Sequence, residues 1–334
     1  MAETASAGGC HLGVDLGGTE IKAVALSMSG GILAQGRAST PRTGVRAVIA
    51  AMHGLAARVA GGVPIQGAGV AVPGVVDMGR GLVKFLPNVP GVWANVPLVE
   101  ELGRLLGVGC VLLNDGRAAT YGELCLGAGR GCRDFVLLAV GTGIGGGVVV
   151  DGELLLGSGG HAGEVGHQVI DMHGPRCACG GWGCAESLAS GPALVAAAVR
   201  AVVQGMDTGL HAACGGDVGR ITPSLVAEVA GAGDPVASEL LEEVAHRLGT
   251  AVGNLVVVLN PERVVIGGGL SLAGERLLTG IRSTMAERIG WYLRHAPVEV
   301  VAAELGVNAG ALGAAAWARR LAVGRSALGE GLGL

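Results

Sequence analysis

Short apolar runs alternate with glycine-rich turns along this chain, and the same pattern appears twice. From His11 to Ser27 the run HLGVDLGGTEIKAVALS reads as strand, turn, strand. Leu12 and Val14 lead in, Asp15-Leu16-Gly17-Gly18-Thr19 makes the turn, and Ile21 to Leu26 lead out with alternation. Residues 134–154 repeat the design, with an apolar strand, a turn at Gly141-Thr142-Gly143, Gly145 to Gly147, and a second apolar strand. A third segment, 263–271, is a buried strand running into Gly267-Gly268-Gly269, preceded by a helix predicted over 238–260. The two strand–turn–strand units predict two related lobes facing one phosphate chain.

Between the first two units, 67–77 reads as a strand ending at Pro73-Gly74, and 85–93 (FLPNVPGVW) as a surface loop. A strand from Cys110 to Leu113 ends at Asn114-Asp115, where a helix begins. Further helices are predicted over 187–204 and, amphipathic, over 309–324. Glycine turns of this kind let backbone amides gather around phosphate oxygens. The first of these turns is neither a P-loop nor a GxGxxG fingerprint opening a helix, and alone it is equally explained by a plain Gly-Gly hairpin. Asp115 stands at the carboxyl end of a buried strand, where open α/β sheets bind ligands. On position alone it reads more readily as a helix N-cap.

Composition narrows the picture. A chain of 334 residues exceeds one small core, so two lobes are expected. Half of it is hydrophobic but only 2% aromatic, with 64 glycines, which gives a Val/Leu/Ile/Ala core in an α/β fold. The net charge of −4 and the lack of a basic run argue against nucleic acid as a partner. Eight cysteines in so large a chain fit a reducing compartment, not a disulfide framework. The small, polar residues 1–10 show no signal peptide, and the glycine-broken apolar runs are too short to span a bilayer. The expectation is a soluble, cytoplasmic protein without a membrane partner.

The densest chemistry lies between Glu164 and Glu186, EVGHQVIDMHGPRCACGGWGCAE. His167, Cys177, Cys179 and Cys184 make a Cys3His set for a tetrahedral structural zinc, bracketed by two acids. The glycine-rich loop needs such a tie. Spacing alone leaves His173, four residues before Cys177, as a rival to His167.

Together these residues resemble the ROK family of bacterial sugar kinases and related repressors, over residues 12 to 320. GEVGH followed by CACGGWGCAE resembles the family's zinc motif, which selects His167 as the fourth ligand. DLGGTEIK (15–22), Pro73-Gly74, PNVPGVW (87–93), LLND (112–115), GTGIGGG (141–147) and IGGG (266–269) match in order. Gly116-Arg117 and Glu20 depart from the usual residues. Repressors of the family carry an N-terminal helix-turn-helix, for which the sequence before Asp15 leaves no room.

The resemblance implies a two-lobed actin/hexokinase-like (ribonuclease H-like) α/β fold with a zinc-braced loop. The expected division is an N-terminal lobe over 1–117, with the C-terminal helix 309–334 packing back on it, and a C-terminal lobe over 118–308 carrying the zinc loop. It implies an ATP-dependent kinase for the 6-hydroxyl of glucose, with N-acetylmannosamine or N-acetylglucosamine as alternative acceptors and polyphosphate as an alternative donor. A sugar-sensing regulator is the alternative from another class. Asp115 is the implied general base. Gly74, Asn88, Asn114, Asp115, Glu164, His167 and Glu186 are the implied sugar contacts. Asp15, Gly17, Gly18, Thr19, Gly141, Thr142, Gly143, Gly267, Gly268 and Gly269 are the implied ATP contacts, with Mg²⁺ between the phosphate turns and Asp15 as its outer partner. A homodimer or homotetramer is implied as well.

Overall fold

The structure, a computed structural model, describes residues 8–328. The chain forms two compact units. Unit 1 takes the chain through Gly131, Leu154–Gly163 and the chain from Leu305; unit 2 takes Cys132–Glu153 and Glu164–Glu304.

Unit 1 begins with an antiparallel hairpin of β1 (Cys10–Leu16) and β2 (Glu20–Ser27), extended by β3 (Ile32–Ser39). After α1 (Val45–Ala60) comes β4 (Ile65–Val72), which pairs in parallel with β1. The small hairpin of β5 (Val75–Asp77) and β6 (Leu82–Phe85) follows, then α2 (Leu98–Leu106). Next, β7 (Cys110–Asn114) adds in parallel to β4 and runs directly into α3 (Asp115–Leu126). The sheet order is β3-β2-β1-β4-β7. Central β1 is buried almost throughout, as a strand with neighbours on both edges and helices on both faces must be. On α1 the buried Val48, Ile49, Met52, Leu55, Ala56 and Val59 form one helical face against the sheet.

Unit 2 repeats this order. β8 (Phe135–Val140) and β9 (Ile144–Val150) form the hairpin, with β10 (Glu153–Leu154) at its edge. Four helices follow: α4 (Ala185–Ala189), α5 (Gly191–Val203), α6 (Leu210–Cys214) and α7 (Pro223–Gly231). The long α8 (Pro235–Leu259) then leads to β11 (Arg263–Gly267), parallel to β8, and α9 (Glu275–Leu293) to β12 (Glu299–Ala302), parallel to β11. The order β10-β9-β8-β11-β12 matches that of unit 1 strand for strand.

The chain returns to unit 1 in α10 (Ala309–Leu328), which packs on β1, β4 and α3. Its approach is backbone to backbone: a side chain at Gly13 would collide with the Ala311 carbonyl, and one at Gly69 with the Ala314 carbonyl. The outer residues 329–334 of the helix expected over 309–334 lie outside the described residues. Position 117/118, where the sequence reading divides the lobes, falls inside α3, whose whole length lies in unit 1. Two local expectations change. Residues 85–93 are irregular but not simply a surface loop, since Leu86, Val89 and Trp93 are buried. The single helix expected over 187–204 is broken at Ser190. No helix among the described residues is long and apolar enough to cross a membrane.

Candidate functional site

In unit 1 the predicted residues gather at the carboxyl ends of β1, β4 and β7. The β1–β2 turn closes with the Gly17 amide donating to the Glu20 carbonyl at 2.9 Å. Thr40, just after β3, braces it twice: its amide donates to the Thr19 carbonyl (2.9 Å) and its hydroxyl to the Gly17 carbonyl (2.7 Å). No acceptor among the described residues takes the Gly18 or Thr19 amide, so both remain for a ligand. A side chain on Gly18 would meet the Asn88 carbonyl at 2.6 Å. Asn88 itself is exposed with φ +58, a left-handed conformation of the sort that accumulates at functional sites.

Helix α3 is capped by Asn114, not Asp115. Asn114 Oδ1 accepts from the Gly116 (3.0 Å) and Arg117 (3.3 Å) amides, and Nδ2 donates to the Gly74 carbonyl at 3.2 Å. The capping role weighed for Asp115 is therefore filled one residue earlier. Asp115 becomes the first helical residue, partly buried, with Oδ1 accepting from the Gly116 amide at 2.8 Å. Asp15, at the end of β1, lies against the start of α10: a side chain on Gly310 would meet its Oδ2 at 2.8 Å. Burial raises the Asp15 carboxyl to about 6, with the Asp115 charge adding to the rise and Lys22, its cross-strand partner, opposing it. Two carboxylates in electrostatic contact beside free turn amides suit a divalent cation carrying phosphate oxygens.

Two supporting residues carried no sequence-level signal of a role. Thr40 is one. The other is Arg117, 1% exposed and the largest fully buried side chain, whose Nε donates to the Ala162 carbonyl at 2.9 Å. It ties the Leu154–Gly163 segment to the helix that opens with Asp115. Only its departure from the family pattern marked it beforehand.

In unit 2 the turn after β8 closes with the Gly141 amide on the Gly143 carbonyl (2.8 Å), and the Thr142 and Gly143 amides have no acceptor among the described residues. The turn after parallel β11 lies beside it: a side chain on Gly268 (φ +82) would collide with Val140. Gly141–Gly143 and Gly267–Gly269 therefore share one edge of the sheet, as expected of a nucleotide-binding edge.

The ligand atoms of His167, Cys177, Cys179 and Cys184 all lie within 4.8 Å of one another. The pairs Cys179 Sγ–Cys184 Sγ and Cys177 Sγ–His167 Nδ1 are each 3.7 Å apart. Zinc–sulfur bonds of about 2.3 Å in a tetrahedron put sulfurs about 3.8 Å apart, so the donor set fits zinc in chemistry and in spacing. His173, exposed on the loop, is not among the four. Burial and the neighbouring thiols push the Cys184 thiol up to about 12, whereas a backbone hydrogen bond from Gly181 lowers that of Cys179. With Nδ1 turned to the thiols, Nε2 is the His167 nitrogen left to donate outward. Glu186 lies beside the cluster, Oε1 3.7 Å from Cys177 Sγ, and its Oε2 accepts from the Ile144 amide at 2.9 Å. Glu164 is exposed and immediately precedes the short helical turn Val165–His167.

Comparison with known proteins bears on both units. Residues 11–321 match the ROK family. The chain is 37% identical to a glucokinase of Thermotoga maritima, over 91% of this chain and 95% of that one. It is 31% identical to an N-acetylmannosamine kinase of Escherichia coli O157:H7, over 91% and 96%. A ROK family glucokinase from Streptomyces griseus, solved in complex with glucose and AMPPNP, superposes with a TM-score of 0.79 at 33% identity, covering 93% of this chain and 100% of that one. The fold is thus the actin/hexokinase-like α/β fold, and the chain belongs to the ROK family.

Proposed function

We propose that this protein is an ATP-dependent sugar kinase that phosphorylates the 6-hydroxyl of glucose. The observation that carries the reading is Asp115: Asn114 caps the helix in its place, and the Asp115 carboxylate stands at a strand end in electrostatic contact with Asp15. Phosphoryl transfer depends mostly on positioning and electrostatics, with one base to accept the hydroxyl proton. Asp115 is that base. Asn114 Oδ1 and one Nδ2 proton are committed, so its second Nδ2 proton is the one available to a sugar hydroxyl. Gly74 and Asn88 complete the sugar contacts of unit 1. Glu164, His167 through Nε2, and Glu186 supply those of unit 2.

Gly17, Gly18 and Thr19, with Gly141, Thr142 and Gly143, hold phosphate oxygens through backbone amides, and Gly267–Gly269 approaches the nucleoside. When bound, Mg²⁺ supplies charge neutralisation along the triphosphate, with Asp15 as its outer partner. His167, Cys177, Cys179 and Cys184 would hold zinc as a structural brace that orders the loop.

The relative with N-acetylmannosamine activity supports a second acceptor class. A coupled ADP-release assay against hexoses and N-acetylhexosamines decides between them, with glucose expected to give the highest kcat/KM. Absence of turnover with every sugar, alongside measurable sugar binding, would turn the reading toward a sensor.

A further inference from the structure

Glu186 is assigned to the sugar by family resemblance, yet its carboxylate is already engaged within unit 2. Oε2 accepts from Ile144, the first residue of β9 after the Gly141–Gly143 turn. A side chain on Gly143 would collide with that same oxygen. The other end of the turn is held by the same stretch of chain, because the Gly191 amide donates to the Gly141 carbonyl at 2.9 Å. Between these anchors the Ser190 amide donates to the Glu186 carbonyl at 3.2 Å, fixing the break between α4 and α5. One short segment, Cys184 to Gly191, therefore grips both ends of the turn. It starts at a thiol of the metal cluster.

We infer that Glu186 is a positioning residue for the Gly141–Gly143 turn, and that through it the metal-binding loop sets nucleotide affinity as well as sugar affinity. Naming the nucleotide rests on the kinase reading; the coupling is a property of unit 2. An amide nest binds phosphate only if its N–H groups are held in one orientation. A hydrogen bond to an ionised carboxylate is roughly twice as strong as a neutral one, which suits it to that task. A residue acting on sugar alone would leave the turn unchanged when truncated.

The test compares wild type, Glu186→Gln, Glu186→Ala and Gly143→Ala, each zinc-loaded, with chelated wild type alongside. Hydrogen exchange is read over residues 141–147, and binding of magnesium-AMPPNP without sugar by calorimetry. Glu186→Ala should speed exchange and weaken nucleotide binding by about tenfold, the loss of one charged hydrogen bond. Gly143→Ala, which displaces the turn from an intact carboxylate, should do the same, as should chelation. Glu186→Gln keeps an acceptor for Ile144 and should remain within about threefold of wild type. Unchanged exchange and unchanged nucleotide affinity in Glu186→Ala, with sugar affinity reduced, would overturn the inference. Should wild type bind no nucleotide, the kinase reading fails, and the exchange data alone decide the coupling.

Discussion

The two units share one strand order and one kind of turn but brace the turn by different means. In unit 1 the Gly17–Thr19 turn is held by Thr40, a neutral residue at the end of the next strand, within a continuous buried core. In unit 2 the Gly141–Gly143 turn is held by Glu186, on a helix that follows a loop from Glu164 to Cys184 with little regular structure. A loop of that length has too few backbone bonds of its own to hold a carboxylate in place, and such loops inside compact domains are usually functional. A metal held by His167, Cys177, Cys179 and Cys184 would supply what the core supplies in unit 1. Duplicating a fold fixes the sheet; each copy still needs its own means of ordering the edge where ligands bind.

The sharpest way to break the comparison is to remove the metal. Zinc binding contributes about 10–16 kcal/mol in small finger peptides, and within a preformed unit a fraction of that should remain. Chelation should deprotect 164–186 to hydrogen exchange and lower the stability of unit 2 by several kcal/mol, leaving β1, β4 and α10 of unit 1 protected. Elemental analysis should return about one zinc per chain. Uniform loss of protection across both units would show that the metal is not a local brace.

Next in size is Asp115. Replacing it with Ala should reduce turnover about 10³-fold or more, at the upper end of what a general base contributes, with sugar affinity within about threefold of wild type. Loss of sugar binding to the same degree would make Asp115 a binding residue instead.

Unit 1 has its own point of failure at the glycine seam under α10. Gly69→Ala drives a methyl group into the Ala314 carbonyl and should cost about 3 kcal/mol in chemical denaturation. Gly54→Ala in α1, where a new methyl group meets only the tip of Arg58 at 3.7 Å, should instead be neutral or stabilise by up to about 1 kcal/mol. Equal effects at the two positions would remove the close backbone approach from the account.

The turns, the strand ending at Asn114-Asp115, and the Cys3His set were legible in the sequence because each depends on residue types at short spacing. Long-range facts were not. No local signal says that Asn114 rather than Asp115 caps α3, since both cap well; the choice follows from Nδ2 meeting the Gly74 carbonyl 40 residues away. Thr40 is an ordinary threonine until the β3 register brings it to Gly17. Trp93 looked like loop because prolines and glycines surround it, yet burial of its ring outweighs their preference for the surface, and its Nε1 donates to the Pro90 carbonyl at 3.1 Å. The lobe boundary was unreadable for the same reason: α3 belongs with α10, whose sequence lies almost 200 residues on.

The smallest effect tests the electrostatics of the unit 1 edge, where Asp15 and Asp115 interact. Asp15 has its carboxyl raised to about 6 from 3.8 by burial, then by Asp115. Its folded-state value is above its unfolded one, so the folded protein binds the extra proton between those two values. The contribution of Asp15 to stability is therefore most favourable below about pH 4, falls as pH rises to about 6, and is flat beyond. Partial exposure discounts the full shift, leaving a penalty on the order of 2 kcal/mol at neutral pH. Asp15→Asn removes the charge and should gain that amount over wild type at pH 7.5, a gain that vanishes at pH 4, while phosphoryl transfer is lost. Magnesium-nucleotide, by compensating the carboxylate, should narrow the gap at pH 7.5. A gain that is independent of pH would assign the effect to packing instead of charge, and a gain confined to acid pH would mean that Asp15 is stabilised, not strained, where it stands.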